Sequence, residues 1–329
     1  MKKRNLFVGL SLVALGLVFN MWGNAATAAD AKKWNPNDEY YLITFQSGLE
    51  FWQECFEGFK DAASVYGAKV YYTGSETNDI SKQVSVIEQV AAKNPAGLAI
   101  TCADSEGLTD TINAVMAQGI DVVLFDNDSP RSNRYAVIQA NNYSAGEYAA
   151  KTMAKLLGEK GECAVLYGVG IPSSTDRAMG FIDYIKAHYP NMSVVATGNS
   201  VGDETEAAQI AAGIVQANPK LAGFYGTNSP RTVGIATAVK EADLQDQISI
   251  LGFDTDESVF KLIDDGVVAG TVKQGAYHMG YWSFEFLFHT ANNFVHPIDN
   301  WRSNKINPLP IYVDAGTIVI TKENIDMFR

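Results

Sequence analysis

The sequence predicts an α/β protein of two similar lobes, each a parallel sheet flanked by helices. Residues 122–128, VVLFDND, pass from four apolar residues into three polar ones, and residues 248–256, ISILGFDTD, repeat that step. The approach to each copy repeats as well. Asn94-Pro95 and then GLAIT precede the first, and Asn218-Pro219 and then AGFYGT precede the second. Around both copies, short apolar runs alternate with helical stretches, which is the pattern of βαβ units in a parallel sheet. A short continuous apolar run suits a strand buried on both faces. The duplication therefore puts one Asp at the carboxyl end of a strand in each lobe, where open α/β sheets bind their ligands.

Taken in order, the first 29 residues stand apart. Lys2, Lys3 and Arg4 precede the uncharged run 6–19, and Ala26-Thr27-Ala28 closes the segment. A positive start, a short apolar stretch and an A-x-A site make an export leader. The apolar run falls short of the roughly 20 residues that a spanning helix needs, which favours a cleaved leader over a retained anchor. No Cys precedes Cys55, so no lipid attaches at the junction. The mature chain is read as exported and soluble.

From residue 40 the alternation is regular. Strands are expected at 40–45, 68–72, 97–101 and 122–125, with helices at 51–66, 80–92 and 108–118 between them. A short extended run at 136–139 then leads to a helix at 143–157, a strand at 163–167 and a helix at 177–188. Strands at 194–197, 221–225 and 248–253, with helices at 206–217 and 232–240, complete the second lobe. A strand at 268–272 and an aromatic helix at 277–291 follow, and the Pro- and Asn-rich stretch 292–310 reads as loop. In the aromatic helix, Tyr281, Trp282, Phe284, Phe286, Leu287 and Phe288 leave little polar face, so they are expected in the core.

Charge and composition exclude several classes. The formal charge is −12 with no long basic run, which argues against nucleic acid and anionic lipid as partners. Cys55, Cys102 and Cys163 are odd in number and sit in apolar contexts, so they read as buried side chains and not as a disulfide framework. The chain has no G-x-S-x-G, no H-E-x-x-H and no Walker loop. Gly168-Val169-Gly170 lacks the third glycine of a dinucleotide fingerprint, with Ser173 in its place, and reads as a turn. The histidines 188, 278, 289 and 296 lack the three- or four-residue spacing of helical metal ligands. The Asp126/Asp128 and Asp254/Asp256 pairs lack the Gly and Glu of a calcium loop. No catalysis, cofactor or metal is expected.

The polar residues at strand ends point elsewhere. Asp126, Asn228, Asp254 and Gln274 fall there, with Arg177 at the head of a helix and Phe51 and Trp52 near the first strand end. Carboxylates and amides each bind two hydroxyls in fixed directions, and an aromatic face stacks on C–H groups. That combination suits a sugar ring. An Asp after a strand also serves as a helix N-cap, and Asn228 also suits a turn. The duplicated positions favour the ligand reading. Phe51 and Trp52 are adjacent and cannot share one helix face, so one stacks and the other packs in the core.

These pieces together resemble the periplasmic sugar-binding proteins of the ribose-binding type, the substrate-receiving components of ABC importers. The matching stretches are ITFQSGLEFWQECFEGF, VVLFDND, Arg177-Ala178-Met179-Gly180-Phe181, FYGTNSP, LGFDTD and TVKQG, and the likeness covers nearly all of the mature chain. The resemblance implies the periplasmic binding protein type 1 fold, two Rossmann-like lobes joined by three crossings. These are placed near residues 139–142, 274–276 and 313–316. The first lobe would hold 38–139 plus 276–313, and the second 140–275 plus 314–329. It implies that Phe51 or Trp52 stacks on a monosaccharide and that Asp126, Asn228, Asp254 and Gln274 bind its hydroxyls, with Asn127 and Arg177 beside them. It also implies a periplasmic location, a monomer, no cofactor and a membrane permease as partner. The chain departs from the pattern at Asn127 and Thr175, where ribose-binding members carry Arg, and at Gly202, where they offer a second stacking aromatic. Those departures argue against ribose and leave room for a larger pyranose.

Two other classes compete. A ligand-sensing subunit that presents bound sugar to a histidine kinase or chemoreceptor would carry the same residues, because both partners read lobe closure. An exported α/β enzyme would need a general acid, base or nucleophile with a perturbing neighbour, and the Asp, Asn and Gln set shows no such pairing. A repressor of this fold is excluded by the leader and by the lack of a helix-turn-helix head.

Overall fold

The computed structural model describes residues 35–201, 203–295 and 300–328, so the leader at 1–29, Gly202 and His296 lie outside the described residues. The first half of the chain runs β1 (Glu39–Thr44), α1 (Glu50–Tyr66), β2 (Lys69–Gly74), α2 (Ile80–Ala91), β3 (Gly97–Ile100), α3 (Thr109–Ala117), β4 (Asp121–Phe125) and β5 (Val137–Gln139). These strands form one parallel sheet in the order β5-β4-β3-β1-β2. β3 and β4 are buried along their whole length, as their unbroken apolar runs require.

The chain then builds α4 (Asn142–Leu157), β6 (Gly161–Tyr167), α5 (Pro172–His188), β7 (Met192–Asn199), α6 (Glu204–Ala217), β8 (Leu221–Gly226), α7 (Ser229–Glu241), β9 (Ser249–Phe253), α8 (Glu257–Asp264) and β10 (Gly270–Gln274). Their strands form a second sheet in the order β10-β9-β8-β6-β7. α9 (Ala276–Ala291) returns to the first lobe, where it packs on α1 and over β3 and β4. β11 (Tyr312–Asp314) then adds to β5, and β12 (Thr317–Thr321) adds to β10. β12 runs antiparallel to β10, so the second sheet is parallel except at this edge.

Each sheet is covered on both faces. Phe59, Phe125, Phe284 and Phe288 fill the layer between the first sheet and α1 and α9, and Ile87, Ile112 and Leu124 fill the layer under α2 and α3. In the second lobe, Met153, Phe181 and Tyr225 lie under α4 and α5, with Phe224, Ile235 and Ile250 on the opposite face. Cys55, Cys102 and Cys163 are buried and unpaired within these layers.

Glycines let one helix pair in each lobe approach closely. A Cβ on Gly280 of α9 would fall 1.7 Å from the Cys55 carbonyl oxygen, and one on Gly58 of α1 would fall 2.0 Å from that of Tyr277. In the second lobe, Gly146 of α4 and Gly180 of α5 meet the Arg177 and Tyr143 carbonyls at 2.1 and 2.0 Å in the same reciprocal way. Only glycine fits such contacts. They fix α1 and α5, and with them Phe51 and Arg177, against their sheets.

Three expectations need correction. Arg177 is not at the head of its helix but in the second turn of α5, because Pro172 at the first turn starts the helix earlier. Trp282 is 44% exposed, since the buried face of α9 is made by Met279, Gly280, Ser283, Phe284 and Leu287. Neither β11 nor β12 was foreseen as a strand, nor α8 as a helix. The stretch read as loop is pinned all the same: Arg302 donates to both carboxylate oxygens of Asp121 at 2.7 Å, and Trp301 is buried.

Candidate functional site

The two Asp residues that end the repeated motif hold the same backbone position. Asp126 follows β4 with φ +59°, and Asp254 follows β9 with φ +70°. The Asp126 amide donates to the Ile138 carbonyl of β5 at 3.0 Å, and the Asp254 amide donates to the Val272 carbonyl of β10 at 2.9 Å. Each is thus turned out of its strand while its backbone stays tied to the next one. Asp is among the few residues that tolerate such a left-handed turn. Neither serves as a helix cap.

All eight residues singled out from the sequence line one cavity of about 1190 Å³ at the carboxyl ends of both sheets. Phe51, Trp52, Asp126 and Asn127 come from the first lobe, and Arg177, Asn228, Asp254 and Gln274 from the second. The volume exceeds the roughly 300–1,000 Å³ of a closed small-molecule pocket, as expected for a cleft between two lobes.

The Asp126 carboxyl senses Asp254 across this space. Burial pushes the Asp126 carboxyl up from 3.8 to about 6, with Arg177 pulling it down and Asp254 pushing it further up. Asp254 is raised too, mainly by burial. Arg177 opposes the shift, Asp256 adds to it, and bonds from Gln274 and the Ser229 amide oppose it. Gln274 Nε2 donates to Asp254 Oδ1 at 3.3 Å. Arg177 places its Cζ over the Phe253 ring, 3.6 Å from the centroid, and donates from Nε to Asn142 Oδ1 at 2.8 Å and from Nη1 to the Thr227 carbonyl at 3.0 Å. Its charge therefore acts on both acids while two of its five N–H donors are held in place.

Asn228 does two jobs. Its Oδ1 accepts from the Arg231 amide at 3.1 Å and caps α7, and the same side chain lines the cavity. Phe51 and Trp52 divide as their adjacency requires. Trp52 is 3% exposed and meets Phe45, Phe51 and Phe125 edge-to-face, whereas Phe51 is only partly covered. Of the two, Phe51 is thus the ring with free surface toward the cavity.

Among the lining residues not singled out from the sequence, three bear directly on the site. Asn142, the first residue of α4, holds Arg177 Nε. Its place at a crossing was the available signal. Glu54 lies three residues after Phe51, so it shares that helix face. Lys273 precedes Gln274, and its ion pair with Glu54 joins residues too far apart in sequence for local spacing to reveal. Among the described residues, no cluster of three His, Cys, Asp or Glu side chains could hold a metal ion, and no helix is long and apolar enough to cross a membrane.

Residues 40–293 match the periplasmic binding protein domain. A sugar-binding protein of a sugar ABC transporter from Bacillus halodurans is 38% identical, with a TM-score of 0.86 over 89% of this chain and 100% of that one. An arabinose-binding protein from Geobacillus stearothermophilus is 39% identical, with a TM-score of 0.84 over 89% of this chain and 100% of that one. The D-allose-binding periplasmic protein of Escherichia coli (strain K12) is 24% identical over 297 residues, 86% of this chain and 92% of that one.

Proposed function

The chain belongs to the periplasmic binding protein domain family, and on that premise we propose that it is an exported solute-binding protein that captures a monosaccharide between its lobes and hands it to the permease of an ABC importer. The observation that carries this reading is the pair of equivalent acids, Asp126 and Asp254, facing one cavity from two lobes. Two part-buried carboxylates flanked by amides suit vicinal hydroxyls, since each accepts charge-assisted bonds in fixed directions. In this reading Phe51 stacks on the ring, Asp126 and Asn127 bind from the first lobe, and Arg177, Asn228, Asp254 and Gln274 bind from the second. The lobes comprise 38–139 plus 276–313 and 140–275 plus 314–329. The protein works as a periplasmic monomer that alters no bond of its ligand.

Arabinose is the first sugar to try, because a relative named for binding it shares 39% of its sequence over its whole length. A thermal-shift panel of arabinose, ribose, allose, xylose, galactose and glucose tests the proposal. A ligand at 100 times its dissociation constant adds about 2.7 kcal/mol of stability, a shift such a screen resolves. The sugar recovered after incubation should be unchanged. No shift with any aldose, or an altered sugar formed with turnover, overturns the reading.

A further inference from the structure

Glu54 and Lys273 reach across the cleft to each other. Glu54 lies near the amino end of α1 in the first lobe, and Lys273 is the penultimate residue of β10 in the second sheet. Lys273 Nζ donates to Glu54 Oε2, with the two side chains 17% and 35% exposed respectively. Both residues line the cavity that holds Asp126 and Asp254. Other ion pairs, such as Arg134–Asp128, Arg302–Asp121 and Lys261–Asp265, each join groups of a single lobe.

The position of Lys273 gives this pair leverage. Lys273 adjoins Gln274, which braces Asp254, and is two residues before Gly275, where the chain crosses back to the first lobe. Backbone bonds tie the crossings together side by side, Ala315 to Gln139 and Gly275 to Gly316. Those bonds hold the hinge and leave the lobes free to turn about it. The Glu54–Lys273 contact lies beyond the hinge, on the cavity wall, and resists that turn. An exposed ion pair contributes little, but one that is half buried and bridges two bodies acts directly on the equilibrium between their arrangements.

We propose that the Glu54–Lys273 pair is a positioning device that holds the two lobes in approach before a sugar arrives, and so sets the affinity of the cleft. A protein whose binding-competent arrangement is only partly populated binds more weakly by that fraction. The pair raises the fraction. This inference rests on the sugar-binding reading for its affinity arm alone.

The test uses Glu54→Gln, Lys273→Gln and the charge-swapped double variant Glu54→Lys/Lys273→Glu, each checked for a parental far-ultraviolet spectrum. Small-angle scattering without sugar should give a larger radius of gyration for both single variants and the parental value for the swapped protein. Raising the salt should expand the parent and leave the single variants unchanged. Titration with arabinose should show affinity about three- to fivefold weaker in the single variants and recovered in the swap. Parental scattering from both single variants, with no salt effect, would show that the pair is merely local and overturn the proposal. Expanded single variants that bind arabinose as the parent does would overturn its role in affinity. The scattering arm needs no sugar, so it remains readable if arabinose does not bind at all.

Discussion

Asp126 and Asp254 occupy the same corner of two different sheets. Each follows the fourth strand of its lobe, each adopts a positive φ, and each donates its amide to the carbonyl of the adjoining strand. The equivalence extends one strand further, because β5 ends in Gln139 as β10 ends in Gln274. It stops at the second carboxylate of the motif. Asp128 is neutralised by a two-bond contact to Arg134, at 2.7 and 2.6 Å, whereas Asp256 lines the cavity and pushes up the Asp254 carboxyl. The second lobe thus sets a second carboxylate beside the first, and Arg177 is a cation that opposes the shift of Asp254.

Asp126→Ala and Asp254→Ala should each weaken sugar binding by about 1.5–3 kcal/mol, the range for hydrogen bonds to a charged group. Both side chains face the cavity, so both variants should keep the parental far-ultraviolet spectrum. Calorimetric titration with the best aldose of the panel provides the check. Parental affinity in both variants would place the binding site elsewhere.

The raised Asp126 carboxyl gives a defined pH dependence. In the unfolded chain this proton leaves near pH 3.8, and in the folded protein near 6. The folded state therefore binds the extra proton between those values, so its stability falls as pH rises through that window, by at most about 3 kcal/mol. Urea midpoints of the ligand-free protein at pH 4.5, 5.5 and 6.5 should drop more steeply for the parent than for Asp126→Asn. Sugar hydroxyls donate to the charged form, so affinity should rise over the same interval. Parallel slopes for parent and variant would refute the assignment.

Phe51→Ala and Trp52→Ala should separate binding from stability. Trp52 is packed edge-to-face among Phe45, Phe51 and Phe125, and truncating a buried Trp costs about 3–5 kcal/mol. Phe51 is partly covered, so its truncation should spare the fold and weaken sugar binding. Denaturation midpoints and titrations of the two variants test this, and a reversed pattern would exchange the roles.

The repeat made much of this legible. Its βαβ rhythm located the strands, and its duplication put Asp126 and Asp254 at matching strand ends, because a buried parallel strand writes its burial as an unbroken apolar run. Part of what escaped was written in no local pattern. β12 pairs antiparallel at an edge, where one side is exposed and the apolar signal thins, as Ile318 at 46% exposure shows. Trp282 looked like core because periodicity cannot say which aromatic residue of a crowded helix turns outward. The start of α5 was placed more than a turn too late, at Arg177, because Pro172 was not read as a helix start. The Glu54–Lys273 pair depends on how two lobes meet, which no single segment encodes.

Asn142→Ala should weaken binding without touching either acid. Asn142 accepts from Arg177 Nε at 2.8 Å, and its loss frees the guanidinium that stands between Asp126 and Asp254. Affinity should fall about threefold to tenfold, less than for loss of a ligand's own bond to a charged group, because the lost bond only positions Arg177. Asn142→Asp should keep that bond. Equal losses in both variants would mean that Asn142 acts by another route.

Sugar should also close the protein. The chain passes between the sheets at Ala140-Asn141, at Gly275 and at Ala315-Gly316, and each lobe keeps its own sheet and core. Lobes joined this way move relative to each other by default, since little holds them except what lies between. The crossings themselves are packed: a Cβ on Gly275 would fall 2.1 Å from the Ala315 carbonyl oxygen, and Gly316 sits at φ +80°. Turning must therefore be taken up by small backbone changes along all three strands of the hinge, not by one loose joint. A sugar touching Asp126 and Phe51 from one side and Asn228 and Asp254 from the other completes its contacts only when the lobes meet. That difference in contacts is the differential affinity that shifts the population toward closure. Small-angle scattering should show the radius of gyration fall on saturation with the best aldose, and Gly316→Ala, strained at its positive φ, should reduce the change. An unchanged profile, with binding confirmed in the same sample, would mean that the lobes are already locked and that a permease reads some other feature of the loaded protein.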